Sequence, residues 1–119
     1  MKSPFKAGDV LLDREGKVTK VLVVDDAAGA IHVRFYDGEF PNADAVLAAI
    51  GAQKLEWSIG HAPMSSEAFT AETYTTVTNV PVTDDELEGY RYYLEATTEK
   101  PPPEEGFMTK FWKMFGGST

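Results

Sequence analysis

Residues 18–38, VTKVLVVDDAAGAIHVRFYDG, decide the fold that this sequence predicts. They hold two apolar runs, residues 18–24 and 31–36, with a turn rich in Asp, Ala and Gly between them, which is typical of an antiparallel hairpin. Apolar and polar side chains alternate in the second run, so one face of that strand should be buried. The first run contains consecutive apolar residues (21–24), which predicts a central strand covered on both faces.

A third apolar run, residues 10–12, precedes this hairpin and predicts one more antiparallel strand. The entry to that strand, Gly8-Asp9-Val10, resembles the entry strand of the small SH3-like barrels of the Tudor and KOW type, in which it leads into a hairpin. The resemblance covers about a third of the chain. It implies a barrel-like sheet and no particular function, although such barrels often bind partners through an aromatic cage or basic loops.

Residues 41–51, PNADAVLAAIG, predict a short helix after the hairpins. Asn42 is a favourable N-cap residue, because its side chain can accept a hydrogen bond from a backbone N–H of the first turn. Gly51 is typical of a helix end. The apolar stripe of this helix consists of Val46, Leu47 and Ile50.

Two further strands are predicted downstream of this helix. In the segment QKLEWSIG, the residues Leu55, Trp57 and Ile59 alternate with polar residues, which predicts a strand with a single apolar face. Residues 61–69 should form a loop that runs into one helical turn. Residues 73–80, TYTTVTNV, are rich in β-branched side chains, which favour a strand.

A second helix is predicted over residues 82–99. Thr83 and Glu86 have the spacing of a capping box, in which each side chain bonds the backbone N–H of the other residue. Gly89 lies inside this helix, where glycine costs about 1 kcal/mol relative to alanine. The apolar stripe of the helix comprises Leu87, Tyr90 and Leu94.

Together these elements predict an α+β domain over residues 1–97, with about five strands, two helices and either a small antiparallel sheet or an SH3-like barrel. Residues 98–105 form a Pro/Glu-rich linker that favours extended polyproline geometry. Residues 106–119 form an amphipathic C-terminal segment, which we expect to be a short helix and call the tail.

The chain is strongly acidic, with 19 Asp and Glu against 11 Lys and Arg and a net charge of −8. This charge repels a phosphate backbone and argues against nucleic-acid binding over a broad surface, whereas it suits a basic partner. The absence of cysteine excludes disulfides, thiol catalysis and cysteine-ligated metal sites. With no secretory signal and no run of about 18 apolar residues, the expected location is the cytoplasm.

The motifs of common catalytic and metal sites are missing from the sequence. The only two histidines, His32 and His61, lack the spacing of a metal-binding motif, and no serine has the G-x-S-x-G pattern of a hydrolase nucleophile. The acidic pairs that begin at Asp25 and Asp84 suit a hairpin tip and a helix cap rather than a calcium loop. We therefore expect no enzyme activity, no metal and no cofactor.

His32, Arg34 and Tyr36 occupy alternate positions of one predicted strand, and we call these three residues the polar strip. We expect the strip to lie on an exposed strand face, with Glu39 nearby. Its hydrogen-bonding side chains could then bind a partner peptide or a small polar ligand. The three residues are therefore candidate partner-binding residues.

The tail supplies the other candidate partner-binding residues. On a helical projection, one continuous apolar arc opposite two lysines is formed by Phe107, Met108, Phe111, Trp112 and Phe115. A helix this short is marginal alone in water, so its stability must come from docking. Three docks stay open: the chain's own domain or a second copy of it, the groove of a different protein, and a membrane surface, which the acidic domain disfavours.

These observations predict a non-enzymatic protein-interaction module, either an adaptor or an acidic inhibitor or immunity-type protein that masks a basic partner. The tail would serve as a docking helix for a protein partner or for self-association. Two alternatives stay open at this point. One is a peripheral membrane adaptor anchored by residues 107–115, and the other is a small-ligand binding domain around His32 and Arg34.

Overall fold

A computed structural model describes residues 3–98 of the 119-residue chain, and Thr98 through its backbone only. The strands are β1 (Asp9–Asp13), β2 (Val18–Asp25), β3 (Ala30–Tyr36), β4 (Trp57–Ser65) and β5 (Tyr74–Asn79). The helices are α1 (Ala43–Gly51) and α2 (Glu88–Thr98), and a 3₁₀ turn covers Ser66–Ala68. Outside the described residues lie the predicted linker from residue 99 onward and the tail, with Phe107, Met108, Phe111, Trp112 and Phe115.

The five strands form one antiparallel sheet in the order β4-β3-β2-β1-β5. β2 lies at the centre, as its run of apolar residues predicts, and its first five residues are buried. Within residues 3–98 the sheet is open, because β4 and β5 are its two edges and do not pair with each other. The prediction of an α+β fold with a small antiparallel sheet is therefore confirmed. The alternative prediction of an SH3-like barrel is not confirmed, because the described strands do not close into a barrel.

One face of the sheet packs against the segments that flank the strands, and we call it the Phe69 face. Its buried apolar side chains are Phe5, Leu11, Val21, Ile31, Val33 and Phe69. Phe5 precedes β1 and Phe69 follows the 3₁₀ turn, so both cover the strands from outside the sheet. Removal of these side chains from water is the main driving force for folding on this face.

The opposite face carries both helices, and we call it the helical face. α1 contributes the buried Val46, which packs with Val10 and Val18 of the sheet. The side chain of Asn42 accepts a hydrogen bond from the N–H of Ala45 at 2.9 Å, so the predicted N-cap is confirmed. Because helices cover this face, its apolar residues are buried without closure of the sheet into a barrel.

β4 extends further along the chain than predicted. It runs from Trp57 to Ser65, so residues 61–65, which we expected in a loop, pair with β3 instead. β4 is an edge strand of the described sheet, where a proline such as Pro63 interrupts no second ladder. A segment whose proline is typical of a loop can therefore continue the sheet.

A bulge in β4 places Trp57 and Ile59 on different faces of the sheet. Tyr36 pairs with Trp57 and Phe35 pairs with Ile59, so β4 has one residue more than β3 between these pairs. Paired residues share a face, and therefore Trp57 lies on the helical face while Ile59 lies on the Phe69 face. The single apolar face predicted from Leu55, Trp57 and Ile59 is wrong for this reason.

α2 begins later than predicted. The capping box forms, since the N–H of Thr83 donates to the Glu86 carboxylate at 2.9 Å and the N–H of Glu86 donates to the Thr83 hydroxyl at 3.2 Å. It caps a single turn over residues 84–87, and the helix itself starts at Glu88. The predicted cap is thus confirmed, and the predicted helix start is too early.

Candidate functional site

α2 and the turn before it lie over the polar strip. His32 is only 2% exposed, and the rings of Tyr90 and Tyr93 contact its ring at centroid distances of 4.8 and 5.0 Å. Arg34 and Tyr36 are half-buried. The structure therefore covers the strip where we expected an exposed strand face, because the second helix folds back onto the sheet.

His32 meets His61 of β4, and we call these two residues the histidine pair. Nδ1 of His32 and Nε2 of His61 are 2.9 Å apart, the ring centroids are 5.1 Å apart, and the ring planes differ by 9°. The distance between the two nitrogens, added to the distance from each nitrogen to the centre of its own ring, nearly equals the distance between the two centroids. The nitrogens and the centroids therefore lie almost on one line, and the rings meet edge to edge in nearly one plane. In the neutral pair one nitrogen donates and the other accepts, which satisfies both.

Burial favours the neutral form of both histidines. It lowers the pKa of His32, against an opposing effect of the Asp25 charge. Burial also lowers the pKa of His61, and the positive charge that His32 gains on protonation lowers it further. Among the residues that the structure describes, no group of three or more His, Cys, Asp or Glu side chains is arranged to hold a metal ion.

Lys20 of β2 and Glu86 of the turn before α2 form a buried ion pair. Lys20 is 4% exposed, and its Nζ donates to both carboxylate oxygens of Glu86 at 2.9 and 3.0 Å and to the Pro81 carbonyl at 3.2 Å. Lys20 also lies directly opposite Arg34 across the β2–β3 ladder. Two cations in that position repel each other, so the Glu86 carboxylate compensates for both.

The pKa of Glu86 reflects this position. Burial by itself would raise the pKa, but hydrogen bonds from the Thr83 backbone and from Lys20, together with the charges of Lys20 and Arg34, outweigh burial and hold the pKa below its usual value. Glu86 is therefore ionised at neutral pH, and it ties the start of α2 to the sheet.

Two residues of β4 fix the position of Arg34. Its Nε donates to the carbonyl of Gly60 at 3.1 Å, and its guanidinium lies over the Trp57 ring, 4.8 Å from the centroid. Arg34 is thus held between the sheet and an exposed indole ring.

Burial and the charge of Glu86 raise the pKa of Tyr36, while Arg34 opposes both effects through its own charge and a hydrogen bond.

Two cavities lie beside Arg34 and Trp57, and both residues line each of them. The first has a volume of about 280 Å³, and we call it the Arg34 cavity; its other lining residues include Lys20, Tyr36, Ile50, Leu55, Val80 and Glu86. The second has a volume of about 550 Å³, and we call it the Trp57 cleft; its other lining residues are Gly60, His61, Asp85, Glu88, Gly89 and Tyr92. The helical face thus offers two candidate binding sites.

Gly89 lets α2 approach β4 closely at the Trp57 cleft. A side chain at this position would place its first carbon 2.7 Å from Cβ of His61, well inside the usual separation of non-bonded carbons. Helix propensity alone disfavours glycine here. The close contact with His61 therefore explains why a glycine occupies position 89, which the helical pattern of the sequence does not explain.

The polar strip was found from the sequence, but its neighbours were not. The structure brings the strip together with Lys20, Trp57, His61, Glu86 and Tyr92. Lys20 did carry a signal, since a lone lysine inside an apolar strand run needs a buried partner. Its partner Glu86 lies 66 residues away, and no local pattern links the two.

Over residues 3–98, no helix is both long enough and apolar enough to cross a membrane. Comparison with protein-family models, with curated proteins and with solved structures finds no match for this chain.

Proposed function

We propose that this chain is a non-enzymatic protein-interaction module that binds a basic segment of a partner protein at the Trp57 cleft. The observation that carries the proposal is the exposure of two large aromatic side chains on that cleft, where Trp57 is 53% exposed and Tyr92 is 64% exposed. Trp, Tyr and Arg supply much of the binding energy of protein interfaces, and Arg34 lines the same cleft.

The charge of the cleft suits a basic partner. Asp85 and Glu88 line it, and neither forms a salt bridge with another residue in the described part of the chain. A lysine or arginine of the partner would lie between these carboxylates and the rings of Trp57 and Tyr92, where ionic and cation–π attraction act together. The net charge of −8 would steer such a partner toward the chain.

The histidine pair supports binding rather than catalysis in this proposal. His61 lines the cleft, but its Nε2 is engaged by the buried His32. Burial lowers the pKa of His61, which weakens it as a proton acceptor. The cleft therefore supplies contact surface more readily than acid–base chemistry.

The tail and the polar strip would provide further contacts for binding. Arg34 would contribute to the first contact, with Tyr36 hydrogen-bonded to it, and His32 would support the cleft through its contact with His61. The tail would dock on the partner or on a second copy of the chain through Phe107, Met108, Phe111, Trp112 and Phe115. Such a module would act as an adaptor or acidic inhibitor in the cytoplasm without a metal or cofactor.

Affinity capture with the full-length chain tests this proposal. Wild-type protein and the variants Trp57→Ala, Tyr92→Ala and Leu47→Ala are immobilised, and the proteins that each retains from a cell extract are identified. Leu47 is the matched control, because it is 42% exposed on α1 and lines neither cavity.

We expect the wild type and Leu47→Ala to retain the same basic protein at low salt. Trp57→Ala and Tyr92→Ala should lose it, and high salt should release it from the wild type because charge attraction is then screened. Equal retention by all four chains would contradict the proposal.

A further inference from the structure

Most of the lining of the Arg34 cavity consists of a charged set and an apolar set of residues, and Tyr36, Gln53 and Trp57 complete it. The charged residues are direct neighbours, since Lys20 lies opposite Arg34 across the ladder and Glu86 bonds Lys20. The apolar residues all belong to the cluster on the helical face, and they are Val10, Ile50, Leu55 and Val80. A lining divided in this way matches a molecule with an apolar body and one charged end.

The charge of the cavity favours an anion at that end. Lys20 and Arg34 contribute two positive charges and Glu86 contributes one negative charge, so the charged lining carries a net +1. This local excess of positive charge occurs in a chain whose total charge is −8. A cationic ligand would be repelled by the same groups that attract an anion.

Arg34 is the group with donors available to such an anion. Lys20 directs its ammonium group to Glu86 and to the Pro81 carbonyl, which accounts for its three donors. Arg34 has five donors, of which Nε is used on the Gly60 carbonyl and one more on the Tyr36 hydroxyl, so three stay available. It forms no salt bridge with any of residues 3–98, so a guanidinium with no carboxylate at ion-pair distance among these residues lines the cavity.

The size of the cavity suits a small molecule. Its volume is about 280 Å³, and a water molecule occupies about 30 Å³ in the liquid. The cavity lies at the lower limit of the range of roughly 300–1,000 Å³ typical of sites for drug-sized ligands. A ligand of about ten non-hydrogen atoms fits this space.

We propose that the Arg34 cavity binds a small amphipathic carboxylate, such as an aryl or branched alkyl acid. The carboxylate pairs with the terminal nitrogens of Arg34 and accepts a hydrogen bond from the Tyr36 hydroxyl. The apolar body packs against Ile50, Leu55 and Val80. This site shares Arg34 and Trp57 with the Trp57 cleft and differs in the rest of its lining, so residues that line only one of the two cavities test the two proposals separately.

Isothermal titration calorimetry of the full-length chain tests the proposal with two carboxylates, phenylacetate and 4-methylpentanoate. The neutral 2-phenylethanol and the cationic 2-phenylethylamine are matched controls, because they keep the ring and change only the charge. We expect saturable one-to-one binding of at least one carboxylate. Binding of the alcohol should be at least about tenfold weaker, since the charge-assisted hydrogen bonds are lost, and the amine should not displace the bound carboxylate.

Three variants locate the carboxylate. Arg34→Lys keeps the charge but removes bidentate pairing, and we expect it to weaken binding about tenfold. Val80→Phe fills the cavity and should abolish binding. Tyr92→Ala changes only the Trp57 cleft, so it should bind the carboxylate like the wild type even though it loses the protein partner.

The proposal is overturned if neither carboxylate binds at about 10 mM, a concentration that detects even weak sites. It is also overturned if the alcohol binds as tightly as the carboxylate or if the amine displaces the carboxylate. Should Arg34→Lys or Val80→Phe fail to fold by circular dichroism, amide shift mapping of the wild type decides. Shifts at Arg34, Ile50 and Val80 support the site, and shifts confined to other residues exclude it.

Discussion

Gly89 lies where α2 crosses β4, and two effects of opposite sign act on its replacement. In an exposed helix Gly→Ala stabilises by about 1 kcal/mol, whereas at this position the added carbon lies 2.7 Å from Cβ of His61. No rotation relieves a clash between two first side-chain carbons. We expect Gly89→Ala to lower the free energy of unfolding by about 1–3 kcal/mol, measured by urea titration with circular dichroism.

Gly51→Ala at the end of α1 is the matched control for this prediction. No atom lies within 4 Å of a carbon added there, so the variant should be neutral or more stable by up to about 1 kcal/mol. A Gly89→Ala variant more stable than the wild type would show that α2 does not approach the histidine pair this closely.

The histidine pair predicts stability that falls in mild acid. Burial lowers the pKa of both residues below the unfolded value of about 6.5, so the unfolded chain binds more protons than the folded chain in that range. The stability that the neutral pair contributes is complete above about pH 6.5. It is lost as the pH falls toward the folded pKa values.

Urea titrations at several values between about pH 7.5 and 5 measure this loss. The variant His61→Phe keeps a ring against Tyr93 and removes one of the two side chains that take up a proton in this range. Its stability should therefore depend less on pH than that of the wild type. A wild-type stability that is flat over this range, or an equal slope in both proteins, would contradict the prediction.

At the scale of secondary-structure elements, the ion pair of Lys20 and Glu86 holds the turn before α2 on the sheet. We expect Glu86→Gln to lower the free energy of unfolding by about 3 kcal/mol, because it leaves the Lys20 ammonium buried without a counter-charge. Relative to the wild type, the variant should show a larger increase in hydrogen-exchange rate at the backbone amides of α2 than at those of β2. The rate of exchange at backbone amides, followed by NMR, measures this difference.

The double variant Lys20→Met/Glu86→Leu is the control for this prediction. It removes both charges and keeps apolar volume, so it should recover most of the lost stability. A double variant as unstable as Glu86→Gln would mean that the charges themselves are required. The pKa of Glu86 is lowered on folding, so its contribution is present above about pH 4.3 and disappears as the pH falls through the folded value.

Local sequence patterns predicted the elements whose form depends on neighbours along the chain. β1 to β3, α1 and the capping box of Thr83 and Glu86 follow from alternation, caps and turn residues. The extension of β4 through Pro63 and its bulge were missed, because they depend on pairing with β3. The burial of His32 was missed for a similar reason, since α2 covers it from a distant part of the chain.

At the scale of the whole molecule, the excess of acidic residues predicts that salt stabilises the fold. The chain has 19 Asp and Glu against 11 Lys and Arg, so repulsion among carboxylates opposes compaction. The Debye length shortens to about 10 Å at 0.1 M salt, which screens this repulsion. The buried pair of Lys20 and Glu86 is screened much less.

We therefore expect the free energy of unfolding to rise when NaCl is increased from about 0.02 to 0.2 M at pH 7.5. Thermal or urea unfolding at each concentration measures the change, with sucrose as the control for effects of an uncharged cosolute. A fall in stability with salt would mean that exposed ion pairs such as Lys17–Glu39 outweigh the general repulsion.

The position of β5 predicts that this strand docks late when the molecule folds. β1, β2 and β3 are joined as consecutive hairpins, whereas β5 pairs with β1 although three strands and α1 separate them in the chain. Hairpins close rapidly, and a contact that encloses a long loop forms late. Because Glu86 and α2 follow β5, both cavities are completed only when this last strand has docked. Ligand binding at the Arg34 cavity would then report that a newly made chain has finished folding, since an intermediate without β5 contains neither site.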